Sequence, residues 1–179
     1  MAEIMVKLEK NSADDVYVLS ENNIHKYFNK SGIWILLGMA FDDDKFVSLN
    51  VGKSKAMGQE ILYDISCLNH LKISDDGERD YINQFGESCK FKWNTGLTQE
   101  YLYPNLAKIY KKLLFIKVVD AGKNDTDTEL RAKEKVLAEK YHALYWRNGK
   151  VYDKVVYDEF QDDQMVYFET VEDFLGSVE

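Results

Sequence analysis

The most legible pattern in the chain is a pair of apolar runs, Gly32 to Phe41 and Phe46 to Val51, separated by the charged turn Asp42-Asp43-Asp44-Lys45. Strand formers dominate both runs, so together they predict a β-hairpin. Because the apolar positions are continuous rather than alternating, its strands are expected to be buried on both faces. Gly52-Lys53-Ser54 breaks the pattern, and Met57, Ile61, Ile65 and Leu68 then recur at helical spacing, which predicts a helix after the hairpin. Upstream, Ile4, Val6 and Leu8 alternate weakly and Val16-Tyr17-Val18-Leu19 is β-prone, each reading as a short strand. Ser20 is placed to cap a helix from Glu21 to Phe28, ended by the turn residues Asn29-Lys30-Ser31-Gly32.

Downstream of the predicted helix, Ser74 to Pro104 is polar, contains Gly77, Gly86 and Gly96, and is poorly periodic, so it reads as an excursion from the core. Within it, Lys90-Phe91-Lys92-Trp93 before Asn94-Thr95-Gly96 has the form of half a hairpin. Alternating basic and aromatic residues suit single-stranded nucleic acid, but a strand with one buried face makes the same pattern and accounts for it better. Leu106 to Lys112 reads as helix, Leu113 to Val119 as a third β-prone run, and Asp120 to Thr128 as a polar loop. Thr126 and Glu129 then form a capping-box signal for a long helix to about Trp146. After the Asn148-Gly149 turn signal the chain becomes acidic yet keeps Tyr152, Tyr157, Phe160, Tyr167, Phe168 and Phe174, too many aromatics for a disordered tail.

These patterns predict an α+β fold, a small central antiparallel or mixed β-sheet with flanking helices. The expected organisation is an N-terminal strand and helix extension over 1–31, a core over 32–152 with an excursion at about 74–104, and an acidic aromatic tail over 153–179 packed on that core. At 179 residues, 45% hydrophobic and 13% aromatic, the chain has enough apolar material for one core. Gly32 to Phe41, its longest apolar run, is half the roughly 20 residues that span a bilayer. The N-terminal residues Met1 to Lys7 lack the pattern of a secretory signal, so a cytoplasmic location is expected.

Charge and cysteine content narrow the chemistry. Of the net charge of -8, all resides in Asp153 to Glu179, where nine acidic residues face one basic residue, leaving 22 of each sign in 1–152. A neutral body neither favours nor excludes nucleic acid. Cys67 and Cys89 are too few for a disulfide framework, and Cys67-x-x-His70 offers two zinc ligands where a structural site wants four. His25, His70 and His142 accompany no nucleophile motif. Val51-Gly52-Lys53-Ser54 has the strand-to-helix setting of a phosphate-binding loop, but Val47 stands where its first glycine belongs. The loop Asp125-Thr126-Asp127-Thr128-Glu129 lacks the glycine of a calcium-binding frame and has Val136 at the twelfth position.

The order hairpin, helix, excursion, strand, long helix resembles the GIY-YIG endonuclease domain over roughly residues 32 to 147. Gly32-Ile33-Trp34 is similar to the first signature and Asn50-Val51-Gly52-Lys53-Ser54 to the second, with Leu113 to Val119 as third strand and Glu134 on the following helix. The resemblance implies a hairpin tyrosine that helps activate water, a helix arginine that steadies the phosphate, and a glutamate that binds one divalent metal. Such hydrolysis needs a proton acceptor, positive charge for the developing anion and a Lewis acid. In this chain the tyrosine positions hold Trp34, which donates but cannot accept a proton, and Asn50, which is no base. Gln59 and Glu60 stand where the arginine is expected, and no arginine occurs between Gly32 and Arg79.

The candidate site is therefore Glu134 and Lys53 for chemistry, with Trp34, Asn50, Gly52 and Ser54 for binding and Glu134 holding a single Mg or Mn ion if the site is active. Glu134 stands out independently of any family, because it interrupts the apolar stripe Leu130, Leu137, Tyr141 and Leu144. A carboxylate there must meet a cation, a metal, hydrogen-bond donors or water. The expectation is a catalytically impaired GIY-YIG-like domain that binds nucleic acid or a protein partner. The alternatives are an active divergent metal-dependent DNA endonuclease and an interaction module using the acidic C-terminal surface.

Overall fold

The computed structural model describes residues 1–69, 78–82, 88–92, 97–146 and 165–178, with side chains for all but 78–82, 88–92 and 97–101. Its centre is a sheet in the order β2-β1-β7-β3-β4-β8, formed by β1 (Glu3–Glu9), β2 (Val18–Ser20), β3 (Gly32–Ala40), β4 (Phe46–Ser54), β7 (Tyr110–Asp120) and β8 (Tyr167–Phe168). Every neighbouring pair is antiparallel, as the α+β expectation allows. A separate hairpin of β5 (Glu78–Ile82) and β6 (Ser88–Lys92) lies within the stretch read as an excursion. The helices are α1 (Met57–Leu68), α2 (Leu97–Ile109), α3 (Asp127–Lys140) and α4 (Val171–Val178). None of the described helices is long and apolar enough to cross a membrane.

The predicted hairpin forms because β3 sits at the middle of the sheet. Successive side chains of a strand point to opposite faces, and β3 sends Ile33, Ile35 and Leu37 into one core and Trp34 and Leu36 into the other. The first face packs on Leu130, Ala138, Tyr141, Phe168 and Phe174; the second packs on Met57, Ile61, Leu68, Tyr103 and Leu106. Both faces are thus covered by helices, which is why Gly32 to Phe41 reads as an unbroken apolar run. β7 pairs with β3 from Gly32↔Asp120 to Ala40↔Tyr110 and carries β1 on its other edge. The β1 alternation is interrupted by a bulge between Ile4 and Val6, which buries Met5 and Val6 together and explains its weak sequence signal.

Several boundaries differ from the sequence reading. The helix expected from Glu21 to Phe28 is a 3₁₀ turn, Ile24–Tyr27; Glu21 itself adopts a left-handed φ of 48° that interrupts a helix start. Gly52-Lys53-Ser54 does not break the strand: β4 continues to Ser54, which pairs with Gly32. The helix expected over Leu106 to Lys112 is the end of α2, and Lys111 and Lys112 belong to β7, where pairing with β3 overrides local preference. α3 opens with the predicted Thr126/Glu129 capping box but ends at Lys140, six residues before Trp146. His142 then takes a left-handed φ of 50°, and the chain turns so that Leu144 and Tyr145 donate backbone N–H groups to Ser48 and Leu49 along the edge of β4.

Of the segment 153–179, the described residues 165–178 pack on the sheet. β8 extends the β4 edge at Phe46↔Phe168 and Val47↔Tyr167, and α4 buries Phe174 against Tyr141 and Phe168 at centroid distances of 5.1 and 5.3 Å. The Asn148-Gly149 turn and the aromatics Tyr152, Tyr157 and Phe160 lie outside the described residues.

Candidate functional site

The end of β4, the start of α1 and the middle of α3 bring their polar side chains into one cluster. α1 is brought there by close backbone packing: Met57 N–H donates to Lys30 O at 2.9 Å, and a Cβ on Gly58 would lie 2.5 Å from Phe28 Cα. Trp34 and Gly52 face each other across β3 and β4, and the indole lies over the glycine so closely that a Cβ on Gly52 would come within 2.3 Å of Trp34 Cζ2. The ring's edge also meets Phe115 at a centroid distance of 5.4 Å. These contacts hold Trp34, which is 2% exposed, in one orientation.

That orientation aims the indole N–H at Glu60 Oε1, 3.0 Å away. The Ser54 hydroxyl also serves this carboxylate, while its oxygen accepts the Ala56 N–H at 3.0 Å. Glu60 is half-buried as a residue, but its carboxyl end is enclosed, and burial raises its pKa to about 7 against the opposing pull of these two donors and of Lys53. One turn further along α1, Asp64 is fully buried and its pKa is pushed well above the carboxylate range by burial and then by Glu60. Tyr103 from α2 faces Asp64 and accepts the Asn50 amide at 3.4 Å. The amide oxygen of Asn50 is taken by Val51 N–H at 3.0 Å.

Glu134 joins this cluster from α3. Its Oε1 accepts the Trp146 indole N–H at 2.8 Å, and the Lys53 backbone also donates to this carboxylate. Burial raises its pKa, and these donors with Lys53 and Arg131 oppose the rise. The requirement for a partner at this position is thus met by hydrogen-bond donors. Lys53 reaches out to Asp127 at the start of α3, with Nζ to Oδ1 at 2.6 Å, and lowers the pKa of that exposed carboxylate.

The structure therefore brings Trp34, Gly52, Lys53, Ser54 and Glu134 around Glu60, with Asn50 linked to the same group through Tyr103 and Asp64. Leu144 is not on the α3 stripe, because the helix has already ended. Sequence reading missed Asp64, Tyr103 and Trp146 as members. For Asp64 a signal was present: Glu60 and Asp64 are acids at i and i+4 among apolar helix positions, with no base three or four residues from either. Tyr103 and Trp146 carried none, since each arrives from an irregular stretch through tertiary folding.

Chemically, the cluster contains two indole-to-carboxylate pairs, Trp34–Glu60 and Trp146–Glu134, with Lys53 near both carboxylates and its charge shared with Asp127. Among the described residues no three His, Cys, Asp or Glu side chains gather as a metal-holding group. Compared with known proteins, the chain matches no protein-family model, no curated protein and no solved structure.

Proposed function

We propose that the chain is a catalytically impaired GIY-YIG-like domain that acts by binding, with a protein rather than nucleic acid as its partner. The observation that carries this reading is the Trp34 indole N–H donating to Glu60 at 3.0 Å. At the two positions where phosphodiester hydrolysis needs a proton acceptor and a cation, this chain has a donor and a carboxylate. The order of elements supports the fold part of the reading, since the third long strand runs beside the first hairpin strand and α3 follows it. The charge supports the choice of partner: Glu60 and Glu134 lie near Lys53, and Asp127 pairs with both Lys53 and Arg131, so these cations are already engaged by carboxylates rather than offered to a phosphate backbone.

Losing a general base typically costs about 100-fold to 10,000-fold, and losing one donor to a developing anion about 100-fold to 1,000-fold. The expected result is no metal-dependent cleavage of DNA above that of a Glu134→Ala preparation, in magnesium or manganese, and no low-salt binding to single- or double-stranded DNA or RNA by fluorescence anisotropy. Cleavage abolished by Glu134→Ala would establish the active, divergent endonuclease instead. Tight low-salt binding without cleavage would keep the impaired domain but replace the protein partner with nucleic acid.

A further inference from the structure

Glu60 and Asp64 share one face of α1, a single turn apart, and the groups around them are divided unequally. Glu60 sits among donors: the Trp34 indole of β3 and the Ser54 hydroxyl of β4 serve its carboxylate, and Lys53 of β4 is its nearby cation. Asp64 has no comparable company. It is 0% exposed, and among the described residues neither of its oxygens makes a hydrogen bond of regular geometry. The group facing it is the Tyr103 phenol of α2, which is buried in turn and itself accepts from Asn50 of β4. Among the residues whose side chains are described, the remaining charged neighbour is Glu134 of α3, acting on Glu60, and the 3₁₀ turn meets the helix through the backbone of Ile24 and Phe28 at Gly58.

Two enclosed carboxylates one turn apart repel each other when both are ionised, and a buried carboxylate faced by a single phenol loses more by ionising than one served by two donors and a nearby cation. The proton therefore belongs on Asp64 and the charge on Glu60. We propose that Asp64 is carried in the folded protein as a neutral carboxylic acid, while Glu60, beside Trp34, Ser54 and Lys53, is the group that gains and loses a proton, so that pH switches the charge of this cluster. The directions of both shifts agree: burial raises both carboxyls, that of Glu60 to about 7. On protonation of Glu60 the Ser54 hydroxyl can rotate from donating to accepting, because its hydrogen is free to turn about the C–O bond. The neutral state is thus as well accommodated as the charged one. The switch uses no histidine, and it rests on groups of this chain alone.

Side-chain carboxyl carbons report protonation directly, so the test is a carbon-13 NMR titration of the full chain from about pH 5 to about pH 9, with through-bond assignment. The expected spectrum has one aspartate carboxyl that remains in its protonated position at neutral pH and is missing from Asp64→Asn. It also has one glutamate carboxyl with a midpoint near 7 that is missing from Glu60→Gln. Tyr103→Phe removes the phenol facing Asp64 and should leave the protonated aspartate signal in place. Should Asp64→Asn fail to fold, the wild-type and Tyr103→Phe spectra still decide the matter. Ionisation of every aspartate by neutral pH, survival of the retained signal in Asp64→Asn, or the absence of any glutamate titrating above about pH 6 would overturn the proposal.

Discussion

The Trp34 indole N–H and Glu60 Oε1 lie 3.0 Å apart, joining the central strand β3 to the first turn of α1. This bond ties the core to the charged cluster. The tryptophan belongs to the core on one face of the sheet, while the glutamate it holds is an enclosed carboxylate beside Lys53. A substitution at either partner is therefore expected to register both in stability and in titration.

Trp34→Phe keeps an aromatic ring against Phe115 but removes the donor. A hydrogen bond to a charged group is worth roughly 1.5–3 kcal/mol, and the smaller ring leaves unfilled space besides. We expect a loss of about 2–4 kcal/mol in urea denaturation. We also expect the Glu60 midpoint to rise above about 7, because one of the influences lowering it has gone. A midpoint that stays put would mean that the indole does not govern the carboxylate.

Gly52→Ala places a methyl group where the Trp34 ring now lies, 2.3 Å from Cζ2, a separation that no ordinary contact tolerates. Overpacking of this kind costs roughly 1–3 kcal/mol. The same substitution in a Trp34→Leu background should cost less, since the opposing ring edge is absent. Equal costs in both backgrounds would show that the glycine serves the backbone of β4 rather than the indole.

The pH dependence of stability follows from the direction of the Glu60 shift. Its folded pKa, about 7, lies above the ordinary 4.5, so the stability associated with its protonated form is fully present below about 4.5 and is lost as pH rises through about 7. A shift of that size amounts to about 3 kcal/mol at most. Glu60→Gln, which cannot ionise, should flatten the decline across this window in thermal or chemical denaturation. Wild-type and Glu60→Gln profiles that run parallel through the window would contradict the assignment.

Phe174→Ala tests whether the acidic tail is a structural part of the domain. Phe174 is 0% exposed and packs on both Tyr141 and Phe168, so its truncation should cost about 3–5 kcal/mol. Hydrogen exchange should increase at Phe46 and Val47, whose strand edge β8 covers. A loss below about 1 kcal/mol would mean that the tail is only loosely attached.

Elements whose signals are local were legible in the chain alone. The hairpin Gly32–Ala40 with Phe46–Ser54, the helix at Met57, the strand around Leu113 to Val119 and the capping box at Thr126 all follow from apolar spacing and turn chemistry confined to short stretches. The interrupted apolar stripe likewise singled out Glu134 as a carboxylate that must find a partner. Folding supplied the identity of that partner, because Trp146 reaches Glu134 only after the chain turns at His142 and runs along β4. It also made Gly52-Lys53-Ser54 a strand, since pairing with β3 outweighs the local break that glycine and serine suggest. The meeting of Asp64 with Tyr103 joins α1 to a helix from the stretch that looked irregular, and burial beneath that helix is what makes Asp64 unlike any other acid among the described residues. Local propensity is written in neighbouring residues, whereas desolvation depends on which distant elements come to lie on top.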